Sequence, residues 1–257
     1  MATRFDELVR EAAEAPMEGW DFSWLEGRAT EERPPWGYQR LVARRLEGVD
    51  AVLDVQTGGA EVIAGALEGA ARLPRRIAAT ESWPPNLEVA RARLAPFGAT
   101  VEAAADQGPL PFPDASFELV VSRHPTVTVW DEIARVLRPG GGYLSQQVGP
   151  GTNRELTEFL MGPQPGGSAR DPEVHRRRAE AAGLRVVTLR PVTLRGEFFD
   201  IGAVVWFLRK VIWTVPDFSV ARYEEPLRRL DAQIRRDGSF RTTVSRFLIE
   251  ARKGEPA

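Results

Sequence analysis

Ala51-Val52-Leu53-Asp54-Val55-Gln56-Thr57-Gly58-Gly59-Ala60-Glu61 is the stretch of sequence that decides the fold. It has the pattern of a buried strand that ends in an acid, turns through glycines and enters a helix. Glycines let the backbone adopt positive φ and approach a ligand closely, and the N–H groups at a helix start favour an anionic or carboxylate-bearing ligand. The stretch therefore predicts a ligand site at the carboxyl ends of the strands of a parallel sheet.

Downstream of this stretch, short apolar runs alternate with amphipathic segments. The apolar runs predict strands near 51–55, 76–80, 100–104, 117–122, 142–148, 184–189 and 242–251. The amphipathic segments predict helices near 60–72, 85–95, 129–137 and 171–182. Short, mostly apolar strands that alternate with helices are typical of a parallel sheet with both faces covered, so the sequence predicts an α/β fold.

The predicted domain organisation is an N-terminal helical cap over residues 1–48 and a ligand-binding domain over 49–257. Residues 196–236 have the pattern of a lid-like insertion with two helices before the last strand, and the helix at 201–215 is strongly apolar. That helix fits core packing or a lid better than a membrane-touching helix, and a dimer face is a further alternative. Four aromatic residues are predicted either to pack the cap or to close over a substrate: Trp20, Trp24, Trp36 and Tyr38.

Composition excludes several classes of site. The chain has 257 residues, 43% of them hydrophobic, and no cysteine, which excludes disulfides, thiolate catalysis and cysteine-based metal sites. With only two histidines, far apart in sequence, we expect no metal site. A net charge of −2 with mixed signs disfavours a nucleic-acid groove. The polar, acidic start and the lack of a long apolar run predict a cytoplasmic protein without a membrane span.

Carboxylates follow the next two predicted strands as well. Glu81 ends the second strand, roughly 20 residues past the turn, where ribose hydroxyls are commonly bound. Asp106 ends the third strand. Taken singly, Asp54 and Asp106 could be ordinary turn residues and Glu81 an ordinary helix cap. Their joint spacing favours one ligand held by all three.

Two later motifs complete a recognisable pattern. They are Leu-Pro-Phe-Pro-Asp-Ala-Ser-Phe-Glu at 110–118 and Arg-Val-Leu-Arg-Pro-Gly-Gly at 135–141. Over roughly residues 50–150, the chain resembles the class I S-adenosylmethionine (SAM)-dependent methyltransferases of the bacterial small-molecule, methyltransferase 11 type. The resemblance implies a Rossmann-like, mainly parallel seven-stranded sheet with helices on both faces, and SAM as the cofactor.

Carried over by position, the resemblance also implies the cofactor-binding residues. These are Asp54, Thr57, Gly58, Gly59, Glu81, Ser82, Trp83, Asp106, Gln107, Ser122 and Arg123. Asp54 would lie beside the methionine part of SAM, and Glu81 would accept the ribose hydroxyls because a carboxylate only accepts. Ser82 or Trp83 would cover one face of the adenine. Asp106 would accept from the adenine amino group.

The glycine pattern departs from the family at two positions. Gln56 stands at the first family glycine and Ala60 at the third. Positive φ at Gln56 would cost about 1 kcal/mol or more, whereas Ala60 adds only a methyl group. These departures motivate an alternative function, a methyltransferase-fold protein that uses the SAM pocket without methylating, in a binding or scaffold role.

The two histidines carry different expectations. His124 follows the fourth strand, where the resemblance places the transferring methyl group, so it is either a general base or a hydrogen-bonded histidine of the pocket wall. His175 precedes three arginines and is predicted to lie on a solvated helix face.

The preferred hypothesis is SAM-dependent methyl transfer to a small organic acceptor, with His124 as the candidate base. A nicotinamide-dependent oxidoreductase is disfavoured because Gln56, Gly58 and Glu61 occupy the three slots of the Gly-x-Gly-x-x-Gly pattern. An RNA methyltransferase is disfavoured by the mild acidity. The sequence leaves open a homodimer and the identity of the acceptor.

Overall fold

The structure, a computed structural model, describes residues 3–17 and 19–255. Its helices are α1 (Arg4–Glu14), α2 (Tyr38–Leu46), α3 (Glu61–Glu68), α4 (Pro84–Leu94), α5 (Trp130–Val136), α6 (Arg154–Met161), α7 (Pro172–Ala181), α8 (Ile201–Lys210) and α9 (Glu224–Asp237). Its strands are β1 (Ala29–Glu31), β2 (Ala51–Asp54), β3 (Arg76–Glu81), β4 (Thr100–Ala103), β5 (Phe117–Arg123), β6 (Leu137–Val148), β7 (Leu184–Phe198) and β8 (Phe240–Lys253).

These strands form one mixed sheet in the order β1-β7-β8-β6-β5-β2-β3-β4. The pairs β2–β3, β2–β5, β3–β4 and β5–β6 are parallel, whereas β6–β8 and β1–β7 are antiparallel. The predicted Rossmann-like, mainly parallel fold is confirmed. The predicted count of seven strands is corrected to eight within the described residues, because the three-residue β1 pairs with β7 from a segment that has no strand pattern of its own.

The described part of the chain divides into two compact units. Among the described residues, the first contains 3–17, 19–33, 150–167 and 193–245, and the second contains 34–149, 168–192 and 246–255. The cap over 1–48 and the ligand-binding domain over 49–257 stay predictions from the sequence.

Alternation along the central strands builds the second unit. Val52 of β2 belongs to a core with the apolar faces of α2, α3 and α4, whereas its neighbour Leu53 belongs to a core with α5 and α7. Successive strand residues point to opposite faces of a sheet, and here both faces are buried under helices. This explains why β2 is buried at all four positions and has no polar alternation.

The first unit has its own core. Apolar residues of α1, α6, α8 and α9 form it, with the fully buried ring of Trp206 among them. Trp24 stacks on Trp206 at a centroid distance of 5.6 Å, so within this unit Trp24 packs as a core aromatic. Ile212 and Trp213, just past α8, are among the exposed large apolar residues.

Two further predictions need correction. Strand β7 continues to Phe198, nine residues beyond the predicted end at Leu189. The lid-like insertion at 196–236 stays a prediction. His175, predicted on a solvated face of α7, is buried, and its ring contacts the rings of Trp130 and Phe247. Within the described residues, no helix has the length and apolar character needed to cross a bilayer.

Candidate active site

The turn after β2 is the first part of the site. It has positive φ at three residues, Gln56 (57°), Gly58 (63°) and Ala60 (63°), although only one of them is glycine. For the two others this conformation costs on the order of 1 kcal/mol each. Neighbouring strands hold the turn in place, since Val55 N–H donates to Val121 O at 2.9 Å and Thr57 N–H donates to Thr80 O at 2.9 Å. The backbone thus follows the predicted glycine-type path despite the departures in sequence.

Asp54 ends β2 with a buried carboxyl group. The hydroxyl of Thr57 donates to Asp54 Oδ2 at 2.6 Å. Burial raises the pKa of Asp54 to about 7, with the negative charge of Glu81 adding to the rise and the Thr57 hydrogen bond opposing it. Asp54 therefore changes its protonation state near neutral pH.

Glu81 ends β3 and is buried beside the same turn. Its Oε2 accepts from Gly58 N–H at 2.7 Å, and its Oε1 accepts from Ser82 N–H at 3.0 Å and Trp83 N–H at 2.9 Å. Burial raises the pKa of Glu81 against the lowering effect of these three donors, and the charge of Asp106 adds to the rise. A carboxylate has about four acceptor positions, so Glu81 keeps roughly one for a ligand.

Asp106 follows β4 and is partly exposed. The hydroxyl of Thr126 donates to Asp106 Oδ2 at 2.5 Å. Because β2, β3 and β4 are parallel neighbours, Asp54, Glu81 and Asp106 lie at the same edge of the sheet. The structure thus brings together the three acids that the sequence analysis singled out.

The side chain of Gln56 connects two segments of this edge. Its Nε2 donates to Val127 O at 2.7 Å, and its Oε1 accepts from Thr126 N–H at 2.7 Å. We call these two hydrogen bonds the Gln56 bridge. With the Thr126–Asp106 contact, the bridge joins the turn after β2, the segment after β5 and the segment after β4.

A cleft of about 400 Å³, counted with its mouth open to solvent, lies at this edge. Its wall includes Val55, Gln56, Asp106, Ser122 and Tyr143. Asp54 and Glu81 are not among the residues that line it in the described part of the chain. The Gln56 side chain is therefore part of the cleft wall, two residues after the buried Asp54.

A buried hydroxyl network lies at the ends of β5 and β6. Ser122 Oγ lies 2.7 Å from Tyr143 Oη and donates to Ser145 Oγ at 3.0 Å. Each hydroxyl has a partner, which buried polar groups require. Ser122 and Tyr143 thus contribute hydroxyl groups with fixed partners to a cleft that is otherwise lined largely by apolar side chains.

Arg135 explains why two sequence motifs occur together. Its guanidinium donates to the carbonyls of Leu110 and Phe112 at 2.9 and 2.8 Å, and it pairs with Glu132 and Asp114. The Arg-Val-Leu-Arg-Pro-Gly-Gly motif thereby holds the Leu-Pro-Phe-Pro-Asp segment, which leads away from Asp106. The contacts between these two motifs therefore serve to hold the segment at 110–114 in place.

Comparison with known proteins agrees with this geometry. Residues 53–144 match the family model described as a methyltransferase domain. Residues 53–144 are a class I SAM-dependent methyltransferase domain. No curated protein matches the chain by sequence.

Solved structures share the fold of the methyltransferase domain at low identity. A protein from Bacillus halodurans C-125, provisionally assigned as a methyltransferase, is 18% identical with a TM-score of 0.60, covering 84% of this chain and 98% of that one. Phosphoethanolamine N-methyltransferase 2 of Haemonchus contortus, in complex with phosphomonomethylethanolamine and S-adenosylhomocysteine, is 16% identical with a TM-score of 0.51, covering 86% and 53%. The [4+2]-cyclase SpnF is 17% identical with a TM-score of 0.54, covering 97% and 92%.

The remaining predicted residues of the methyltransferase domain lie around the three acids. Trp83, at the start of α4, is 42% exposed, and Gln107 and Arg123 are exposed. Gly59 offers its carbonyl to Arg93. His124 follows β5 but is not among the described residues that form the wall of the cleft. Their contacts with a cofactor remain predictions.

The sequence analysis missed two residues of the site. Gln146 on β6 lies beside His124, and the polar pair Gln146-Gln147 in an otherwise apolar strand is the signal that could have marked it. Thr126 meets both Gln56 and Asp106, and nothing in the sequence marks it. Within the described residues, no group of three His, Asp or Glu side chains could hold a metal ion.

Proposed function

We propose that the methyltransferase domain binds SAM across the ends of β2, β3 and β4 and transfers its methyl group to a small organic acceptor. The observation that carries the proposal is the row of three acids at this edge, with burial raising the pKa of both Asp54 and Glu81. Buried carboxylates are costly unless a partner compensates them. A cationic ligand with hydroxyl groups would supply that compensation, and SAM is such a ligand.

The residues present fit the cofactor by the chemistry of their donors and acceptors. Glu81 is an acceptor with roughly one free position, which suits ribose hydroxyls. Asp106 would accept from an exocyclic amino group. The nearby charge of Glu81 helps to raise the pKa of Asp54. Asp54 would therefore be stabilised by the positive charge of SAM. Exposed Trp83 offers a flat apolar surface beside these groups.

Cofactor entry would involve one rearrangement. Gln56 lines the cleft, so we infer that its two hydrogen bonds break when the cofactor enters. Gln56 is already in a strained backbone conformation, and its side chain meets only backbone groups and Thr126. We infer that the bridge lowers the affinity for the cofactor without abolishing binding.

SAM supplies an electrophilic methyl group when it is bound. The protein then has to orient the acceptor and exclude water. The fixed hydroxyl network of Ser122 and Tyr143 provides polar contacts at the cleft wall. For His124, two roles fit the proposal: it could accept a proton from the acceptor or donate a hydrogen bond to it.

The preference for a small acceptor has two supports. The net charge of −2 disfavours the clustered basic surface that a nucleic acid needs. The Haemonchus contortus structure has phosphomonomethylethanolamine bound on the same fold.

An alternative function is favoured by the Gln56 bridge itself. If the bridge stays closed, the fold would serve binding or a different reaction, and one protein with this fold is named as a [4+2]-cyclase. Titration calorimetry with SAM, S-adenosylhomocysteine and NAD separates the functions. Heat with the two adenosyl ligands alone supports a methyltransferase site, and absence of heat with both removes the proposal. Binding without a methylated product across a broad acceptor panel, read by mass spectrometry, favours the alternative.

A further inference from the structure

His124 is held in an unusual backbone conformation directly after β5. Its φ of 54° is in the left-handed region, which few residues other than glycine adopt. Its N–H donates to Gln146 O at 2.8 Å, next to the paired residues Arg123 and Gln146 of β5 and β6. The position of the imidazole is thus set by the pairing of two central strands.

A chain of side-chain hydrogen bonds reaches the ring from the other side. The indole Nε1–H of Trp36 donates to Gln146 Oε1 at 2.7 Å, and Gln146 Nε2 lies 2.9 Å from His124 Nε2. Trp36 and Gln146 are both buried, at 8% and 4% exposure. The phenol of Tyr38 donates to Ser122 O and Leu144 O, which fixes the segment that carries Trp36 against the same strand ends.

The chemistry of these groups decides the tautomer of His124. An indole N–H can only donate, so the oxygen of the Gln146 amide must face Trp36; the flipped amide would set two donors against each other at 2.7 Å. The amide nitrogen of Gln146 therefore faces His124. Since that nitrogen also only donates, His124 Nε2 must accept, and the hydrogen of the neutral ring lies on Nδ1.

The charges around the ring act in the same direction. The charged groups that influence it are the guanidinium groups of Arg123 and Arg246, both positive. Burial, followed by these two charges, holds the pKa of His124 well below its usual range. Protonation of Nε2 would in addition place two N–H donors 2.9 Å apart.

We propose that Trp36 and Gln146 are positioning residues that lock His124 in the neutral Nδ1–H tautomer, so that its Nε2 is excluded as a general base for methyl transfer. A general base needs a free lone pair within reach of the proton it removes, and the lone pair of Nε2 is occupied by Gln146. The exclusion of His124 as a base rests on the proposed methyl transfer, whereas the tautomer lock does not.

The test is nitrogen-15 NMR of the imidazoles in the full chain, without cofactor. His124 and His175 are the two histidines of the sequence, and His175 is an internal reference because its Nε2 lies 3.1 Å from the carbonyl of Ala169 and must donate. We expect opposite tautomers: Nδ1–H for His124 and Nε2–H for His175. We also expect His124 to stay neutral between pH 8 and about pH 6. An Nε2–H tautomer, or a His124 pKa at or above its usual value of about 6.5, would overturn the proposal.

Two variants test the cause of the lock. Gln146→Glu replaces the donor with an acceptor, so His124 should gain a hydrogen on Nε2 and its pKa should rise by about one unit or more, as expected beside a carboxylate. Trp36→Phe removes the constraint on the amide, so the Nε2–H tautomer of His124 should become populated. His175 should be unchanged in both. An unchanged His124 in both variants refutes the lock even if SAM binds, and failure of SAM to bind in calorimetry refutes the proposed function even if the lock holds.

Discussion

Replacement of Gln56 by glycine should make SAM bind more tightly. The change removes the two hydrogen bonds of the Gln56 bridge, Nε2–H to Val127 O and Thr126 N–H to Oε1. It also relieves the strain of a non-glycine residue at φ 57°. If cofactor entry breaks the bridge, the wild-type protein loses both bonds on binding and the variant loses none.

The magnitude follows from typical values. A hydrogen bond contributes about 1 kcal/mol net, so two bonds amount to about 2 kcal/mol, or roughly a 30-fold lower Kd at about 1.4 kcal/mol per factor of ten. Gln56→Gly should change the free energy of unfolding by less than it changes the free energy of SAM binding, because its contributions to stability have opposite signs. Loss of the bonds and the greater freedom of glycine in the unfolded chain destabilise by about 2–3 kcal/mol, and relief of backbone strain returns about 1–2 kcal/mol.

Calorimetry with SAM and chemical denaturation measure the two effects separately. Gln56→Ala is one control, because it removes the bridge but keeps the strained φ; it should bind SAM as tightly as Gln56→Gly and be less stable. Ala60→Gly is the matched control for strain, since Ala60 also has positive φ but has no part in the bridge. It should leave SAM affinity unchanged. Equal or weaker binding by Gln56→Gly would show that the bridge does not oppose the cofactor.

Four further predictions concern the acids and Arg135. Glu81→Ala should weaken SAM binding by about 1–3 kcal/mol, as for loss of a charged hydrogen-bond partner; unchanged affinity in calorimetry would mean that the ribose lies elsewhere. SAM affinity should rise about tenfold from pH 6 to pH 8, because Asp54, with its pKa raised to about 7, must lose its proton to meet a cation, and Asp54→Asn should remove this dependence. The same raised pKa means that the folded protein holds an extra proton between about pH 4 and pH 7, so the free energy of unfolding should fall with rising pH by up to about 1.4 kcal/mol per unit; a denaturation series in which Asp54→Asn keeps that slope would argue against it. Arg135→Ala should lower the free energy of unfolding by more than about 2 kcal/mol because carbonyls and Glu132 lose their donors, whereas Arg138→Ala, which removes a half-exposed pair with Glu118, should cost less than about 1 kcal/mol.

The elements around the site could be predicted from the sequence for a clear physical reason. Strands β2, β3 and β5 are buried on both faces, so they appear as continuous apolar runs, and each is bounded by a turn or an acid. Because parallel strands end at one edge, the positions of Asp54, Glu81 and Asp106 followed from the strand ends alone. The outermost strand of the sheet, β1, could not be predicted in this way. Strand β1 has three residues and pairs with β7 more than 160 positions away along the chain.

Side-chain conformation explains why the contacts of His175 and Gln56 could not be predicted from the sequence. The three arginines after His175 indicate a charged helix face, but the histidine points to the opposite side of α7, where it meets Trp130 and Phe247. The Gln56 bridge depends on which rotamer a flexible side chain adopts and on the path of the segment at 124–128, and neither has a sequence signature. The sequence could show that Gln56 departs from the glycine pattern, but not what the side chain contacts.

In the proposal, two separate parts of the chain contribute to the affinity for a cationic nucleoside. The charge of the site comes from Asp54 and Glu81, whose positions are set by the pairing of β2 with β3 and do not involve residue 56. In the proposal, the opposition to cofactor entry comes from the two hydrogen bonds of Gln56, which can be removed without moving a strand. A chain with this arrangement can keep the electrostatics of a SAM site while its affinity is tuned at a single position. The glycine pattern alone is consequently a poor guide to whether the site binds SAM, and the acids at the strand ends are the better one.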